Sequence, residues 1–512
     1  MSTNQPNILI IVADQLSASM LPSYGNRVAK TPNIDKLASQ GVVFEQSYCS
    51  SPLCGPARFS IMTGQLPSQG KVYDNAAEFS SEIPTFGHYL RRAGYRTILA
   101  GKMHFCGPDQ LHGFEERLTT DIYPADFGWT PDWQHFEVRP TWYHSPDSIV
   151  SAGPCVRSNQ IDYDEEVIFA AQRALFNIAR GSDSRPFCLV ASLTHPHDPF
   201  TIHTDYWNRY DDSEIDPPRI RDTPQPLDPH TQRLRHICDL QPGAVSEEQT
   251  MKARHAYYGA ISYVDDKVGV LLKTLDEAKL ADDTIVLFLS DHGEMLGERG
   301  LWYKMSFFEA ASRVPLIVHA PGRFAARRVN ASVSHVDLLP TLVDLAYGGP
   351  QEFPAEVAGH SLLPYLRGEE GVGGVWSEYL AEGAIAPMLM WRQGQWKFVH
   401  SPSDPDQLYD LDNDPDELNN LADQPATAEL RAKLHTMISE RWDLERLHQD
   451  ILKSQGRRQL VSSALVAGKL SSWDYQPPRD ASREYIRAHL DIEDLEARAR
   501  FPHVRPLKEP VA

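Results

Sequence analysis

The sequence predicts an α/β fold in which helices cover a large, mostly parallel central sheet. The first observation is a set of short apolar runs typical of buried strands, at 7–13, 96–100, 187–193, 284–290 and 315–319. The second is a set of helical patterns between them, at 31–40, 85–93, 163–179, 246–280 and 335–346. Strands that alternate with helices in this way are typical of parallel sheets.

The first two elements have clear boundary signals. The run NILIIVA at 7–13 has no polar alternation, which predicts a strand buried on both faces, and it ends at Asp14. The helix at 31–40 is predicted to begin after Thr31, because Pro32 suits its first turn.

A polar residue follows several of the predicted strands. Asp14, Lys102, His197 and Asp291 all lie just beyond strand ends, although they are far apart in the sequence. Ligands bind at the carboxyl ends of the strands in open parallel sheets. The chain therefore predicts one site to which all four side chains contribute.

The stretch SPLCGPARFS at 51–60 contains a cysteine in a segment that its glycine and prolines keep from forming a strand. Pro56 is suited to open a helix, so Cys54 is predicted to lie just before a helix N-terminus. Backbone N–H groups there favour an anion and make thiols reactive. A free cysteine is more often a small buried hydrophobe, but this local sequence favours a functional one.

The chain divides into three predicted parts. These are a catalytic α/β domain at 1–374, a smaller α+β subdomain with a hairpin at 375–452, and an extended tail at 453–512. The tail is polar and predicted to be irregular from about 453. Its aromatic residues and a helical pattern at 481–499 favour docking on another subunit of a homo-oligomer, a dimer or a tetramer.

The composition argues against several classes of partner. The 512 residues carry a formal net charge of −20, which disfavours nucleic acid and anionic membrane surfaces. The apolar runs are too short to span a bilayer, and the first one ends at Asp14, too early for a signal peptide. The six cysteines form no C-x-x-C pair, which indicates neither a disulfide framework nor a zinc site. We therefore expect a cytoplasmic protein.

The motif C-x-P-x-R, formed by Cys54, Pro56 and Arg58, resembles the signature of the formylglycine-dependent sulfatases of the alkaline phosphatase superfamily. Tyrosine phosphatases have C-x5-R instead. The resemblance extends along nearly the whole chain, through the segments VYDNAAEF, GKMHF, THPHDPF, SDHGE and LYDLDNDP. It implies the sulfatase sandwich fold. It also implies that a formylglycine-generating enzyme oxidises Cys54 to a formylglycine aldehyde.

The resemblance further implies one divalent cation, bound by Asp14, Asp291, His292 and an oxygen of the modified residue 54. Carboxylates suit a hard cation. Many sulfatases have adjacent aspartates after the first strand and a later Asp-Asn pair. The pairs Asp14-Gln15 and Asp291-His292 instead resemble the branch shared with phosphonate monoester hydrolases. Calcium, magnesium and manganese are all candidates.

In the implied reaction, one hydroxyl of the aldehyde hydrate attacks sulfur, and the second then loses its proton and expels sulfate. His104 would be the base for that elimination. His197, helped by Lys304, would protonate the departing alcohol oxygen. His195, two residues before His197, is expected to be structural.

The sulfate itself needs fixed cationic and hydrogen-bonding groups. By resemblance, Arg58 would hold the aldehyde hydrate and the oxygens on the metal side. Lys102 would bridge residue 54 and the sulfate, and Asn75 would donate to a sulfate oxygen.

Within the family, the chain resembles the branch that hydrolyses choline O-sulfate, through the stretches DFGWTPDW and TWYH and the long tail. A quaternary ammonium group cannot donate conventional hydrogen bonds, so it needs an aromatic face and a nearby carboxylate. We predict that Trp129 and His144 line this part of the site and that Glu382 is the anionic partner. The alternatives to Glu382 are the tail residues Asp474 and Asp491.

Two other classes of function stay open. A phosphonate monoester or phosphodiester hydrolase, or an aryl sulfatase, would use the same catalytic groups. The third hypothesis is a non-catalytic anion- or choline-binding protein. Such a protein would need no maturable nucleophile, so the presence of Cys54, Arg58 and Lys102 together argues against it.

Overall fold

The computed structural model of the chain describes residues 5–221, 227–478, 480, 484–487 and 491–503. The strands are β1 (Asn7–Ala13), β2 (Val42–Tyr48), β3 (Arg96–Gly101), β4 (Glu116–Arg117), β5 (Gly153–Cys155), β6 (Phe187–Leu193), β7 (Thr201–His203), β8 (Thr284–Ser290), β9 (Leu316–His319), β10 (Arg327–Ser334), β11 (Val375–Tyr379), β12 (Met388–Gln393), β13 (Trp396–Ser401) and β14 (Asp404–Asp410). The α-helices are α1 (Pro32–Gln40), α2 (Cys54–Thr63), α3 (Pro67–Gly70), α4 (Phe86–Arg92), α5 (Asp147–Val150), α6 (Asn159–Arg180), α7 (Thr204–Trp207), α8 (Pro229–Ile237), α9 (Glu247–Glu277), α10 (Glu309–Ser312), α11 (Leu338–Tyr347), α12 (Leu363–Arg367), α13 (Ala428–Arg441), α14 (Leu444–Val466) and α15 (Ile492–Ala499).

The largest sheet has eight strands in the order β10-β2-β9-β8-β1-β6-β3-β4. β9 runs antiparallel to both β2 and β8, and the other neighbouring pairs in this sheet are parallel. The prediction of an α/β fold with a large, mostly parallel sheet is therefore confirmed. The bounds of β1, β6 and β8 match the predicted runs, and β3 and β9 differ from theirs by one residue.

The sheet is the middle of three layers. Alternate residues of β1 enter two different cores, with Leu9 and Ile11 in one and Ile8 and Ile10 in the other. Helices α6 and α9 contribute to the first core, and helices α4 and α11 to the second. Because helices cover both faces, the apolar runs need no polar alternation.

The C-terminal subdomain is a four-stranded antiparallel sheet, β11 to β14, with α13 packed on it through a small core that includes Phe398 and Leu434. β11 lies beside the segment that precedes Cys54. The hydroxyl of Ser377 donates to the main-chain oxygen of Cys49 at 2.6 Å. The subdomain is thus attached directly behind the cysteine segment.

The tail differs from the expectation. α14 continues to Val466, so the prediction of an irregular chain from about 453 is wrong. Its buried residues Ile451, Gln455 and Arg458 follow helical spacing, which explains the error, because this helix is stabilised by packing on one face. In the predicted helical pattern at 481–499, only the last part is helical, as α15. The described residues 484–487 are not helical, and 481–483 and 488–490 lie outside the described residues. Among the described residues, no helix is both long and apolar enough to cross a membrane.

Candidate active site

Four adjacent parallel strands, β8, β1, β6 and β3, end at the same edge of the large sheet. Asp291, Asp14 and Lys102 directly follow β8, β1 and β3, and His197 lies four residues beyond the end of β6. The topology thus brings together the four polar residues whose positions predicted a shared site.

Cys54 is the first residue of α2, not a residue before it, so the predicted helix start near Pro56 is two residues late. All of α2 is buried, and Cys54 is 1 % exposed. Leu53 offers no capping side chain, so the first turn of the helix leaves backbone N–H groups near Cys54. Such a terminus favours negative charge.

Four non-glycine residues around the site have left-handed backbone conformations. Gln15, His104, Tyr303 and Met305 have φ values of 64°, 56°, 68° and 69°. Non-glycine residues adopt this region seldom, and surrounding structure must stabilise it. Two of them flank Lys304, and one follows Asp14 directly. Strained backbone is thus concentrated where the predicted catalytic residues lie.

The predicted metal ligands form one buried group. Asp14, Cys54, Asp291 and His292 each offer a ligand atom, and these atoms all lie within 4.8 Å of one another. His292 Nε2 is 3.8 Å from Oδ1 of Asp14 and 3.8 Å from Oδ2 of Asp291. Two atoms bound to one divalent ion at about 2.0–2.6 Å can be separated by this distance. Two carboxylates, an imidazole and an oxygen at position 54 therefore fit a divalent cation.

Two cationic side chains meet the carboxylates of this group. Lys102 donates to Asp14, and Arg58 Nε donates to Asp291 at 2.8 Å. Burial and the nearby charge of Asp291 raise the pKa of Asp14 above its ordinary value. Burial also acts to raise the pKa of Asp291, but Arg58 and His292 outweigh it and hold that pKa below its ordinary value.

The thiol of Cys54 contacts several positive groups. Its sulfur lies 3.0 Å from His292 Nε2 and 3.4 Å from Lys102 Nζ. Burial opposes ionisation, yet the charges of Lys102, Lys304 and His292 hold the pKa of Cys54 well below its usual range. The surroundings of this position therefore stabilise an anion on the side chain of residue 54.

His197 and Lys304 form a second group on the same cavity. Lys304 Nζ is 2.8 Å from His197 Nε2 and donates to Oε1 of Gln15 at 2.6 Å. Nδ1 of His197 donates to the main-chain oxygen of Asp198 at 2.7 Å, which directs Nε2 toward the lysine. The carboxylate of Asp198 lies 3.2 Å from the same Nδ1. The pair combines two nitrogen groups that can carry a proton.

Asn75 connects Cys54 with His104. Its Oδ1 accepts from the backbone N–H of Gly55 at 2.8 Å, so the amide nitrogen is left as the donor. Its main-chain oxygen lies 3.0 Å from Nε2 of His104. A carbonyl only accepts, so Nε2 carries the proton, and within the described part of the chain Nδ1 of His104 is buried without a hydrogen-bond partner. A neutral His104 in this tautomer has a free lone pair on Nδ1.

The cavity beside Cys54, lined also by Asn75, His104, His197 and Lys304, has a volume of about 250 Å³. Its lining residues are Cys54, Asn75, His104, Tyr123, Trp129, Trp142, Tyr143, His144, Gln160, His197, Asp198, Pro199, Ile237, Cys238, Lys304, Met305 and Glu382. Pockets for drug-sized ligands are typically about 300–1,000 Å³. The cavity is therefore suited to a small ester.

The cavity wall contains the residues predicted for the alcohol side. The rings of Trp129 and Trp142 are nearly parallel, with centroids 6.3 Å apart, and His144 stacks on Tyr303 at 4.2 Å. Glu382 is 6 % exposed, and burial raises its pKa to about 7. An aromatic wall and the buried carboxyl of Glu382 thus lie in the same cavity as Cys54.

The alternative partners and His195 lie elsewhere in this chain. Asp474 accepts from the backbone N–H of Ala125, and Asp491 caps α15. His195 Nδ1 is 2.6 Å from a carboxylate oxygen of Asp164, which is buried on α6.

Sequence reasoning missed several residues of the site, and three of them contact predicted catalytic residues. Tyr123 lies under Lys102, whose Nζ is 4.4 Å from the ring centroid, and its hydroxyl is 3.3 Å from Nδ1 of His197. Gln15 contacts Lys304, and Asp198 contacts His197. Gln15 and Asp198 lie next to predicted residues, which was the available signal. The segment around Tyr123 has no periodicity that could have indicated its position.

A second group of metal-ligating residues lies in the C-terminal subdomain. His400 Nδ1 and His435 Nε2 each lie 2.7 Å from a different oxygen of Asp406. The imidazoles and the carboxylate are hydrogen-bonded to one another, so this group connects α13 to the sheet.

Comparison with known proteins identifies the family. A family model described as Sulfatase matches residues 6–349, about two thirds of the chain. The chain therefore belongs to the sulfatase family and is a sulfuric ester hydrolase. Two further family models match the C-terminal part. "N-sulphoglucosamine sulphohydrolase, C-terminal" matches residues 297–443, and "Choline sulfatase enzyme C terminal" matches residues 449–501.

Among curated proteins, the chain is 47 % identical over 510 residues to a choline-sulfatase of Rhizobium meliloti, covering 98 % of this chain and 99 % of that protein. It is 28 % identical to an arylsulfatase of Clostridium perfringens, covering 81 % of this chain and 90 % of that protein.

Among solved structures, the phosphonate monoester hydrolase of Agrobacterium radiobacter superimposes with a TM-score of 0.67 at 24 % identity, covering 86 % of this chain and 96 % of that one. The phosphonate monoester hydrolase from Silicibacter pomeroyi gives a TM-score of 0.68, also at 24 % identity, covering 85 % of this chain and 95 % of that one. At this identity the likeness shows the sulfatase fold alone.

Proposed function

We propose that the protein hydrolyses choline O-sulfate to choline and sulfate. The 47 % identity to a choline-sulfatase and the C-terminal match at 449–501 support this substrate. The observation that carries the proposal is the cavity, because it joins Cys54 and His197 to an aromatic wall and the buried carboxyl of Glu382. A cation held by aromatic faces and a carboxylate is the recognition that a trimethylammonium group requires.

Asp14, Asp291, His292 and residue 54 would hold one divalent cation, with calcium, magnesium and manganese as candidates. A bound cation stabilises negative charge that develops on the sulfonyl oxygens. Burial and the nearby charge of Asp291 raise the pKa of Asp14, and a bound divalent cation would favour the charged form of this carboxyl.

In the active protein, position 54 would carry formylglycine, and the thiol occupies its place in the present structure. The aldehyde hydrate supplies a hydroxyl nucleophile that a thiol cannot replace. Mass spectrometry of the peptide that contains residue 54 should show an aldehyde that reacts with hydrazide. Full activity in a preparation with only an unmodified thiol would contradict this.

The sulfonyl group would lie between Lys102 and the amide nitrogen of Asn75, and Arg58 would hold the aldehyde hydrate and the oxygens on the metal side. Lys102 meets both Asp14 and Cys54, so it is suited to bridge residue 54 and a sulfate oxygen. His104 would accept a proton at Nδ1, because its Nε2–H is used by the main chain of Asn75.

His197 and Lys304 would deliver a proton to the departing alcohol oxygen. Trp129 and His144 would cover the trimethylammonium group, and Glu382 would balance its charge. A carboxyl with a raised pKa is poised for this, because a cation restores the charged form that burial disfavours.

The test compares kcat/KM for choline O-sulfate, a neutral aryl sulfate and a phosphonate monoester on purified, metal-loaded protein. Choline O-sulfate should be preferred over the aryl sulfate despite its poorer leaving group. A preference for the phosphonate ester would assign the chain to the alternative hydrolase activity. A preference for the aryl sulfate would remove the choline proposal and leave the sulfatase.

We further propose that the protein is cytoplasmic and forms a homo-oligomer through its tail. Exposed apolar side chains are frequent in the end of α14 and in the tail, where Leu460, Val466, Leu470 and Ile492 are each more than half exposed. A subunit contact would cover these apolar side chains. Within the single chain, Trp473 already packs on Phe127 at 5.1 Å, so only part of the tail would serve a neighbour.

A further inference from the structure

Helix α14 contacts the wall of the active-site cavity from behind. Arg458, on its buried face, is 6 % exposed. Its two terminal nitrogens donate to the two carboxylate oxygens of Asp74, each at 2.6 Å, and the Asp74 side chain is fully buried. A fork with two parallel hydrogen bonds fixes the position of a carboxylate as well as its charge.

Asp74 and its neighbours form a turn that carries Asn75. Oδ1 of Asp74 also accepts from the backbone N–H of Ala76 at 3.0 Å, so Asn75 is held between two bonded residues. Asn75 makes the contacts to Gly55 N–H and to His104 Nε2 described above. The positions of the His104 imidazole and of the start of α2 therefore depend on where this turn lies.

The same helix also holds the alcohol side of the cavity. Arg458 Nη1 lies 3.3 Å from the hydroxyl of Thr130, next to Trp129. Gln455 Oε1 accepts from the backbone N–H of Trp133 at 3.0 Å, and the indole of Trp133 donates to the main-chain oxygen of Ala381. Thr130 directly follows the cavity-lining Trp129, and Ala381 directly precedes the cavity-lining Glu382.

We propose that Arg458 is a positioning residue of the active site. It fixes Asp74 and thereby the turn that carries Asn75, and Asn75 in turn positions His104 and the start of α2. The inference rests on the proposed roles of Asn75 and His104 in sulfate ester hydrolysis. Without Arg458, the buried carboxylate of Asp74 has lost its cationic partner, and an unpaired buried charge is strongly unfavourable. The turn then moves toward water or recruits it, and Asn75 moves with it.

The experiment is a double-mutant cycle of Arg458→Met and Asp74→Asn on the full chain, with kcat and KM measured for a neutral aryl sulfate and for choline O-sulfate. The formylglycine content of each variant is measured by mass spectrometry, so that kcat refers to matured sites. Arg458→Met should lower kcat about 10–100-fold for both esters, since a displacement of about 1 Å in a catalytic group has this effect. The KM for the aryl sulfate should change much less.

The two changes should not be additive, because each removes the same contact. The double variant is expected to recover part of the kcat that Arg458→Met loses, since it leaves no unpaired charge. Arg458→Lys keeps the charge without the fork and should recover only part of kcat. This variant also tests the proposal if Arg458→Met does not fold.

The matched control is Arg96→Met. Arg96 pairs with Glu116 at 2.6 Å, but it begins β3 and thus lies at the opposite end of the sheet from the site. The Arg96→Met substitution should leave kcat unchanged. Unchanged kcat in Arg458→Met, or additive losses in the cycle, would overturn the proposal. If the wild type hydrolyses the aryl sulfate and not choline O-sulfate, the substrate proposal fails while the Arg458 cycle is still decided on the aryl ester.

Discussion

Nζ of Lys304 and Nε2 of His197 lie 2.8 Å apart in the cavity wall, and Nδ1 of the same imidazole is bonded to the main chain of Asp198. His197 and Lys304 both line the cavity, so this pair is placed to donate a proton to a group bound there. An alkyl sulfate needs such a proton, because an alkoxide is a poor leaving group. An aryl sulfate with an acidic phenol needs it much less.

The first prediction follows from this pair. His197→Ala should lower kcat/KM for choline O-sulfate by roughly 10²–10⁴, the usual range for positioned proton transfer. The loss for 4-nitrophenyl sulfate should be far smaller. Steady-state kinetics on both esters measure the ratio. Equal losses would mean that His197 binds the sulfate or supports the fold and does not protonate the leaving group.

A second prediction concerns the cation. The double variant Asp14→Ala, Asp291→Ala should lose stoichiometric metal, since it removes both carboxylates of the buried group. Elemental analysis of dialysed protein gives the metal content. His400→Ala removes a ligand-type residue from the separate group in the C-terminal subdomain and should retain the metal. If the double variant keeps one equivalent, the ion lies elsewhere.

A third prediction concerns the tail. A chain ended after Ala467 keeps all of α14 and the Arg458–Asp74 pair but removes Leu470, Ile492 and the segment between them. It should form an assembly of fewer subunits by light scattering than the full-length protein, because part of the proposed subunit contact is gone. An unchanged number of subunits together with unchanged kinetics would show that the tail is not needed for assembly.

Much of the large sheet, and of the site at its edge, could be predicted because the sequence pattern of each strand is local. β1, β6 and β8 are buried on both faces, so their sequences are continuous apolar runs with clear ends. Because ligands bind at the carboxyl ends of parallel strands, these ends predict that Asp14 and Asp291 share one site. The resemblance supplied the roles of the remaining residues.

The parts that escaped prediction depend on distant partners. Arg458 lies in a polar stretch of sequence, and its burial depends on contacts with Asp74 and Thr130, 384 and 328 residues away. The cavity wall at Tyr123 belongs to a long segment without periodicity, so neither a helix nor a strand pattern could indicate its position. Both features are tertiary, and local sequence carries little information about them.

A fourth prediction separates the alcohol half of the substrate from the sulfate half. Trp129 lines the cavity and lies 6.0 Å from His104 between ring centroids. Trp129→Ala should cost about 2 kcal/mol with choline O-sulfate, roughly a thirtyfold loss in kcat/KM, as expected for a desolvated cation–π contact. The loss with a neutral aryl sulfate should be small. Comparable losses with both esters would assign the indole to the fold or to the chemistry.

The last prediction uses the pH dependence of Glu382. Burial raises the pKa of this carboxyl to about 7, so it is mostly uncharged below that pH and charged above it. Only the charged form attracts the trimethylammonium group, so kcat/KM for choline O-sulfate should fall as the pH decreases below about 7. Because kcat/KM reports ionisation in the free enzyme, the profile should show this pKa directly. Glu382→Gln should lower kcat/KM above pH 7 and remove this limb of the profile, while the profile for a neutral aryl sulfate keeps its shape.

The ionisation of Glu382 should also affect the stability of the folded protein, with a pH dependence opposite to that of kcat/KM. Its pKa in the folded protein is above the ordinary value of 4.5, so its contribution to stability is present at low pH and lost as the pH rises through about 7. In the absence of substrate, Glu382→Gln should therefore raise Tm at pH 8 and change it little at pH 5. Thermal unfolding of both proteins at the two pH values measures the difference. A variant that lowers Tm equally at both pH values would contradict this, because it would show that the Glu382 side chain stabilises the fold whatever its charge.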